Sequence, residues 1–208
     1  MGERIALKEI YKGRFFARRD SLSWRCEPVC TAINTALAPK SVMDVGCAIG
    51  DNVLYWKNNL NVEAYGIEGS PNAEEHFVTD GIFVLDLRDE IKLDFSVDLV
   101  MCLEVAEHIE PKHANQFLMN LCGMSARILM SAAEPGAGGH YHVNCRPREY
   151  WIERMEYLGY SYDHTVVRMM QSLWEPWRKK KEMSSYYRNL FYFERKKGDE
   201  RWKMNREF

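Results

Sequence analysis

The sequence predicts an α/β protein: a doubly wound, mostly parallel seven-stranded sheet ending in an antiparallel hairpin, with helices on both faces. Three observations predict it. Apolar runs of strand length alternate with segments of helical spacing from residue 41 onward. A glycine-rich turn, V-M-D-V-G-C-A-I-G-D-N at 42–52, follows the first of these runs. The last two runs are joined by a polar stretch instead of a crossover helix, so they should pair antiparallel. At 208 residues the chain suits one domain that buries roughly 70% of its unfolded surface.

The elements follow in order. Residues 3–38 carry apolar positions at helical spacing, first Ile5, Leu7 and Ile10 and later Val29, Ile33 and Leu37. They read as about two helices, the second stopped by Pro39. SVMDVG (41–46) is a strand, and NVLYWKNNL (52–60) a helix that opens after the glycine turn. VEAYGIEGS (62–70) is the next strand. SPNAEEHFV (70–78) is a short helix with Ser70 as N-cap and Pro71 at its first position. GIFVLDL (81–87), SVDLVMCLEV (96–105) and ARILMSAAEP (126–135) are three further strands, the last two separated by the helix HANQFLMNLCGM (113–124). PREYWIERMEYLGY (147–160) is a helix ending at Gly159. YSYDHTVVRMM (160–170) and YYRNLFYFERKK (186–197) are the closing strands, joined by the polar insertion SLWEPWRKKKEMSS (172–185).

Composition narrows the function classes. Lys and Arg number 28 against 30 Asp and Glu, a net charge of −2, so no global charge announces a polyanionic partner. No run of 18 apolar residues predicts a membrane span. The start, M-G-E-R-I-A-L-K, lacks the apolar core of a signal peptide, and Ala6 stands where myristoylation after Gly2 wants Ser or Thr. The six cysteines (26, 30, 47, 102, 122, 145) fit no zinc ribbon, and Cys47 and Cys102 lie in apolar runs. Reduced core thiols and a cytoplasmic location are expected.

Ligands of an open α/β sheet sit at the carboxyl ends of its strands, which makes the 46–50 turn the expected site. Gly46 and Gly50 allow close backbone approach. A phosphate loop needs Lys followed by Ser or Thr, whereas this turn continues with Asp51-Asn52. Asp44 and Asp51 would serve a pyrophosphate poorly and suit a cationic group. Glu68, 24 residues after Asp44, ends the second strand, where a carboxylate can hold two ribose hydroxyls. A nucleoside with a positive group and no phosphate is S-adenosylmethionine.

D-V-G-C-A-I-G (44–50), I-E-G-S (67–70), L-D-L (85–87) and L-E-V-A-E-H (103–108) resemble, in order and spacing, the nucleotide-fold (class I) S-adenosylmethionine-dependent methyltransferases. The resemblance covers roughly residues 25–195. It implies that Asp44 and the Gly46–Cys47 backbone hold the methionine portion, Glu68 the ribose, Asp86 the adenine amino group and the Leu103 backbone the ammonium. Gly50, Asn52, Gly69 and Leu87 complete the cofactor set, and Arg25 meets the methionine carboxylate. It further implies a helical segment at 1–38 covering the cofactor site, a methyltransferase domain at 39–197 and a basic tail at 198–208. Trp24, loop 134–146 and insertion 171–185 would shape the acceptor pocket. Ala48 departs from the glycine of many relatives, and its methyl is tolerable only at negative φ.

Methyl transfer is an in-line displacement, so positioning two reactants supplies up to roughly 7–11 kcal/mol. A hydroxyl acceptor also needs a base, worth roughly 10²–10⁴-fold, or a metal. If E-V-A-E-H (104–108) turns helical, Glu104 and His108 share a face with Glu107 beside them. The loop G-G-H-Y-H-V-N (138–144) follows the next strand and brings His142, with His140 in poorer register. His142, His108 and Glu104 are therefore the catalytic candidates, and Asn144 and Arg146 either bind acceptor or cap the next helix. E-x-x-E-H followed by H-x-x-x-x-x-R-E is similar to the metal-binding arrangement of small-RNA 3′-terminal 2′-O-methyltransferases, and in part to ubiquinone-pathway O-methyltransferases. That resemblance implies Glu104, Glu107, His108 and His142 as ligands of Mg or Mn. A metal-free histidine base and a metal site both stay open.

Residues 178–208 hold eleven Lys/Arg against five Asp/Glu, while the remainder holds seventeen against twenty-five. Trp174, Trp177, Tyr186 and Tyr187 lie among or just before those cations, which suits stacking on nucleic acid. Leu190 to Phe193 nevertheless read as core strand, and KKK as a solvated insertion. Three functions follow. The leading one is O-methylation of a small molecule or glycan with a histidine base. The second is a metal-assisted RNA ribose 2′-O-methyltransferase. The third is a noncatalytic S-adenosylmethionine-binding or scaffold protein.

Overall fold

The computed structural model describes residues 4–204. Seven strands form one sheet: β1 (Ser41–Val45), β2 (Glu63–Glu68), β3 (Ile82–Val84), β4 (Leu99–Leu103), β5 (Arg127–Ser131), β6 (Tyr160–Tyr162) and β7 (Leu190–Arg195). Their spatial order is β3-β2-β1-β4-β5-β7-β6. The first five pair parallel, and β7 runs antiparallel to both β5 and β6. This is the predicted fold class, with β3 and β6 shorter than their apolar runs.

Alternation along the central strands divides the core in two. Met43, Val45, Val100, Cys102, Ile128 and Met130 face α3 (Ala114–Met124) and α4 (Arg148–Tyr157). Val42, Leu99, Met101 and Leu129 face α1 (Cys26–Leu37), α2 (Asp51–Leu60), α5 (His164–Trp174) and α6 (Lys181–Asn189). Because both faces are covered, β1, β4 and β5 read as apolar runs and not as alternating ones. From β1 the chain winds outward through β2 to β3 and then crosses back to β4 on the other side of β1, so the winding reverses between β1 and β4. The crevice at their carboxyl ends is the place where such a sheet binds ligands.

Four elements differ from expectation. HTVVRMM belongs to helix α5, not to a strand. Asp163 caps it, its Oδ1 accepting from the amides of Thr165 (2.7 Å) and Val166 (3.2 Å). Val167, Met170 and Trp174, at a spacing of three and four, bury one face and override the β-branched pair Val166–Val167. Tyr186–Asn189 likewise close α6, so the hairpin strands pair antiparallel as expected but are linked through two helices. At the N-terminus, single helical turns at Leu7–Ile10 and Gly13–Phe16 and a 3₁₀ stretch at Arg19–Arg25 replace a full first helix. Gly13 interrupts the spacing there. SPNAEEHFV forms a 3₁₀ helix at Pro71–His76, and the Ser70 hydroxyl donates to the Tyr11 carbonyl (3.1 Å) instead of capping. All six cysteines are free, five of them buried. No helix among the described residues is long and apolar enough to cross a membrane.

Candidate active site

The turn after β1 is built by backbone conformations that few residues adopt. Gly46 (φ +80°), Ala48 (φ +53°) and Gly50 (φ +82°) are all left-handed. Gly46 and Cys47 donate to the Ile67 carbonyl at 2.7 and 3.1 Å, which ties the turn to β2. A Cβ on Gly46 would run into the Val105 side chain, so this position demands glycine twice over. Ala48 therefore carries a strained φ, the condition under which its methyl is costly.

Two carboxylates flank the turn. Asp44 is 4% exposed and accepts from Asn52 Nδ2 at 3.2 Å. Burial pushes its carboxyl up to about 7 against the pull of Asn52 and Arg25, with Asp51 and Glu68 adding to the rise. Glu68 accepts from the amides of Ala48 (3.1 Å) and Ser70 (2.8 Å), one on each oxygen, and burial raises its carboxyl too. Each oxygen retains a lone pair for a ligand hydroxyl.

The cleft above them has two lobes. The first, about 660 Å³ and partly open to solvent, is mainly apolar and runs from Leu7 and Tyr11 past Glu68 and Gly69 to Asp86 and Leu87. The second, about 930 Å³, is polar and is bounded by Arg25, Asp44, Asn52, Leu103, His142 and Tyr186. Gly46, Ala48, Glu104, His108 and Arg19 line both.

Asp86 lines the apolar lobe, but its carboxylate is committed to two guanidinium groups. Arg4 lies 2.5 Å away and Arg88 2.8 Å, and Arg88, with 2% of its side chain exposed, also reaches Glu110 at 3.1 Å. These contacts leave it less free for an adenine amino group than its position suggests. Arg25 lines the polar lobe and donates to the Tyr186 hydroxyl (3.1 Å) and the Leu22 carbonyl (3.1 Å), with no carboxylate among its hydrogen bonds to the described residues. Trp24 does not line the cleft; it packs against Trp177, ring centroids 6.0 Å apart.

Beyond β4 the chain bends at Glu104 (φ +55°), and Ala106–His108 form a 3₁₀ turn where the sequence suggested an α-helix. The bend gives the two acids different partners, although they stay close enough to interact. Glu104 turns to Asn189, accepting from its Nδ2 at 3.2 Å. Glu107, His108 and His142 instead converge, one potential ligand atom of each lying within 4.8 Å of the others. Glu104 stands outside that group. The Glu107 side chain is fully buried and its carboxylate oxygens find no hydrogen bond of ordinary geometry, although the nearby Ala133 backbone favours the anion. Burial first, and Glu104 second, raise its carboxyl well above the usual range. His108 contacts the Tyr141 carbonyl through Nδ1 (3.2 Å). A carbonyl only accepts, so Nδ1 donates and Nε2 keeps a lone pair. Burial, helped by His142, pushes His108 down to about 4. His142 meets His108 edge-on at 4.9 Å between centroids, and its Nδ1 lies 3.7 Å from Cys145 Sγ. A Cβ on Gly139 would overlap the His142 ring, so the glycine loop is what lets this histidine fold back over its own backbone.

His140 points elsewhere, its Nε2 donating to the Ile10 carbonyl at 3.0 Å. Asn144 is buried and accepts from Arg146 (2.8 Å). The chain has the class I S-adenosylmethionine-dependent methyltransferase fold. The plantazolicin methyltransferase BamL, solved with S-adenosylhomocysteine and a desmethylplantazolicin analogue, superposes with a TM-score of 0.60, at 14% identity over 88% of this chain and 90% of that one. An S-adenosylmethionine-dependent methyltransferase from Archaeoglobus fulgidus gives 0.56, at 15% identity over 91% and 98%. In sequence, a probable tocopherol O-methyltransferase of the chloroplast of Oryza sativa subsp. japonica is 35% identical over 135 residues. That match takes in 60% of this chain but only 36% of the rice protein, so the chain spans about a third of the curated relative it matches. No family model matches.

Sequence reasoning, which expected a helical segment at 1–38 over the cofactor site, did not single out the strap residues that line the cleft. Leu7, Tyr11, Phe15 and Arg19 line the cleft, and Arg88 Nη1 donates to the Ile5 carbonyl while Asn72 Nδ2 reaches those of Lys8 and Tyr11. The alternation of aromatic and basic residues in Y-K-G-R-F-F-A-R-R (11–19) was the available signal. The insertion side is represented by Glu182, Ser185 and Tyr186 of α6. At the end of β7 Arg195 lies over Tyr160 and Trp202, and in the basic tail, of which 205–208 lie outside the described residues, Arg201 pairs with Asp199 and Lys203 with Glu200, so several of these cations are engaged locally.

Proposed function

We propose that this protein is an S-adenosylmethionine-dependent methyltransferase acting on an oxygen of a small-molecule acceptor. The observation that carries the reading is the convergence of His108 and His142 on a cleft whose floor is the acidic glycine turn. The residues fit the donor. Asp44 offers a buried carboxylate to a cation, Glu68 keeps lone pairs for ribose hydroxyls, and Gly46 leaves the backbone uncovered. Bound there, the donor supplies an electrophilic methyl on sulfonium.

The rest is the work of this chain. Leu103, Arg25 and the Gly46–Cys47 backbone bound the polar lobe and orient the methionine end, while Gly69 and Leu87 bound the apolar one. Tyr11 and the strap exclude water. His108, held near 4 by burial, is uncharged at neutral pH, keeps its proton on Nδ1 and serves as an acceptor through Nε2. His142, half-exposed beside it, is the general base that takes the hydroxyl proton, with the buried Glu107 carboxyl group within 4.8 Å of it. Glu104 positions the loop through Asn189 and is not a base on this reading.

A second reading has one observation in its favour: a fully buried carboxylate without a well-formed donor, facing two histidines, suits a divalent cation. Glu107, His108 and His142 would hold it, without Glu104. Calorimetric titration with S-adenosylhomocysteine, with manganese and then with chelator, separates the readings. Micromolar binding that Asp44→Asn weakens at least tenfold supports the donor site, and its absence refutes it. Manganese binding that Glu107→Gln abolishes supports the cation. Metal-independent turnover that His142→Ala abolishes supports the base, and turnover untouched by His142→Ala refutes both.

A further inference from the structure

A separate basic chamber lies beside the cleft. It encloses about 1320 Å³, part of it open to solvent, and is walled by Lys12, Arg14, Arg18 and Arg19 with Phe15 and His140. Among the described residues Glu9 is the one carboxylate in its wall. The chain as a whole carries −2, so four cations facing one acid is a local concentration and not an overall bias. None of the four forms an ion pair within 4.0 Å among the described residues. Arg19 is half-buried and lies 4.4 Å above the Phe15 ring centroid, with Asp51 and Glu68 acting on it only from beyond direct contact. A partly desolvated guanidinium with no carboxylate in direct contact is costly to build, and an arriving anion would offset that cost.

The chamber is joined to the cleft. Arg19 lines the chamber and both lobes, and Phe15 lines the chamber and the apolar lobe. The Tyr11 ring lies 6.0 Å from His108 and 5.7 Å from His140, so one aromatic ring spans the distance from the chemistry to the chamber wall. Guanidinium groups in a cluster favour a multiply charged oxyanion over a single carboxylate, because they supply several planar pairs of donors. We infer that the chamber is an anion subsite, and that the acceptor is a small molecule carrying a phosphate monoester about one ring's length from the oxygen that is methylated.

This inference rests on the proposed methyl transfer for its acceptor, but its test does not. Phenyl phosphate and inorganic phosphate are titrated into the full chain at constant ionic strength, with and without S-adenosylhomocysteine. The variants are Arg14→Gln/Arg18→Gln, both exposed and so tolerant of change, and separately Arg19→Gln, each checked by thermal melting. The expected result is saturable phenyl phosphate binding that weakens at least tenfold in both variants while S-adenosylhomocysteine affinity stays within twofold in the double variant. Absence of saturable binding, or binding equal in wild type and variants, overturns the subsite. A ten-nucleotide single-stranded RNA that displaces phenyl phosphate, binds far more tightly and loses affinity steeply with salt overturns the small-molecule acceptor in favour of nucleic acid. Phosphate bound without any S-adenosylhomocysteine binding refutes the methyltransferase reading and leaves the subsite standing.

Discussion

Replacing Ala48 by glycine should leave the protein as stable or make it slightly more so, where the same change at an ordinary position would weaken it. A left-handed φ of +53° costs an L-residue roughly 1–2 kcal/mol. Against that relief stand two losses. The Ala48 methyl packs beside Phe16, Ile49 and Ala73 but is only half-buried, so its removal costs about 0.5 kcal/mol. Glycine also adds about 0.5 kcal/mol of unfolded-state entropy. The net is between about 0 and +1 kcal/mol. At negative φ the two losses would stand alone, near −1 kcal/mol. The sign is therefore the test. Urea unfolding of Ala48→Gly, Ala48→Asn and Ala48→Val measures it, since a midpoint that moves at constant slope is a change in stability. Asn tolerates the left-handed region and should match the wild type, whereas β-branched Val should lose more than about 2 kcal/mol. The Ala48 amide, which donates to Glu68, survives in all three, so S-adenosylhomocysteine affinity in the glycine variant should hold or improve. A glycine variant about 1 kcal/mol less stable than wild type refutes the left-handed turn.

Two further outcomes follow from the buried acids. Asp44, raised to about 7, must ionise to hold a cation, so affinity for S-adenosylhomocysteine should climb up to tenfold per pH unit below about 7 and flatten above it; calorimetry from pH 5.5 to 8.5 that finds no slope contradicts its role. Glu107 is raised in the folded state, which then binds more protons than the unfolded chain, so its share of stability is present below about pH 4 and is lost as pH rises through the folded value. Glu107→Gln should flatten that part of the pH–stability curve and stabilise the protein at pH 8 to 9, and thermal melts of the two proteins that stay parallel from pH 5 to 9 would contradict it.

The parts of the fold and site legible in the sequence share one property: they depend on spacing along a single strand or turn. Asp44 and Glu68 end adjacent parallel strands whose register places Asp44 beside Gly66, and Gly46 is required where a side chain would strike Val105. The closing strands went astray at their ends because Val166 and Val167 satisfy a strand pattern locally, while the burial of Val167, Met170 and Trp174 that makes α5 a helix appears only against the finished sheet. The geometry of the acids beyond β4 was hidden for a related reason. Helical spacing joins Glu104 to His108, but a left-handed Glu104 and a 3₁₀ turn send Glu104 to Asn189, 85 residues away in sequence, and leave Glu107 with the histidines.

The strap was hidden more deeply. Ile5, Leu7 and Ile10 stand at helical spacing, yet residues 4–19 form only short turns, because their partners are carbonyl-directed side chains and ion pairs scattered over the sheet's edge: Asp86 and Asp89 for Arg4, Arg88 for Ile5, Asn72 for Lys8 and Tyr11. A segment held by many separate polar contacts can be released piecemeal at lower cost than one packed into a core. Its position over the apolar lobe then has a consequence for order of binding. A donor lying between Glu68 and Asp86 would sit beneath Leu7 and Tyr11, so the strap must open to admit it. Lys12, Arg14, Arg18 and Arg19 belong to the continuation of that strap, so its closing over the donor would also set the chamber wall in place. Coupling of that kind makes the donor and an anionic acceptor bind with positive cooperativity. Phenyl phosphate should therefore bind more tightly in the presence of S-adenosylhomocysteine, by a factor that Arg4→Ala, which loosens the strap's first tie, reduces towards one.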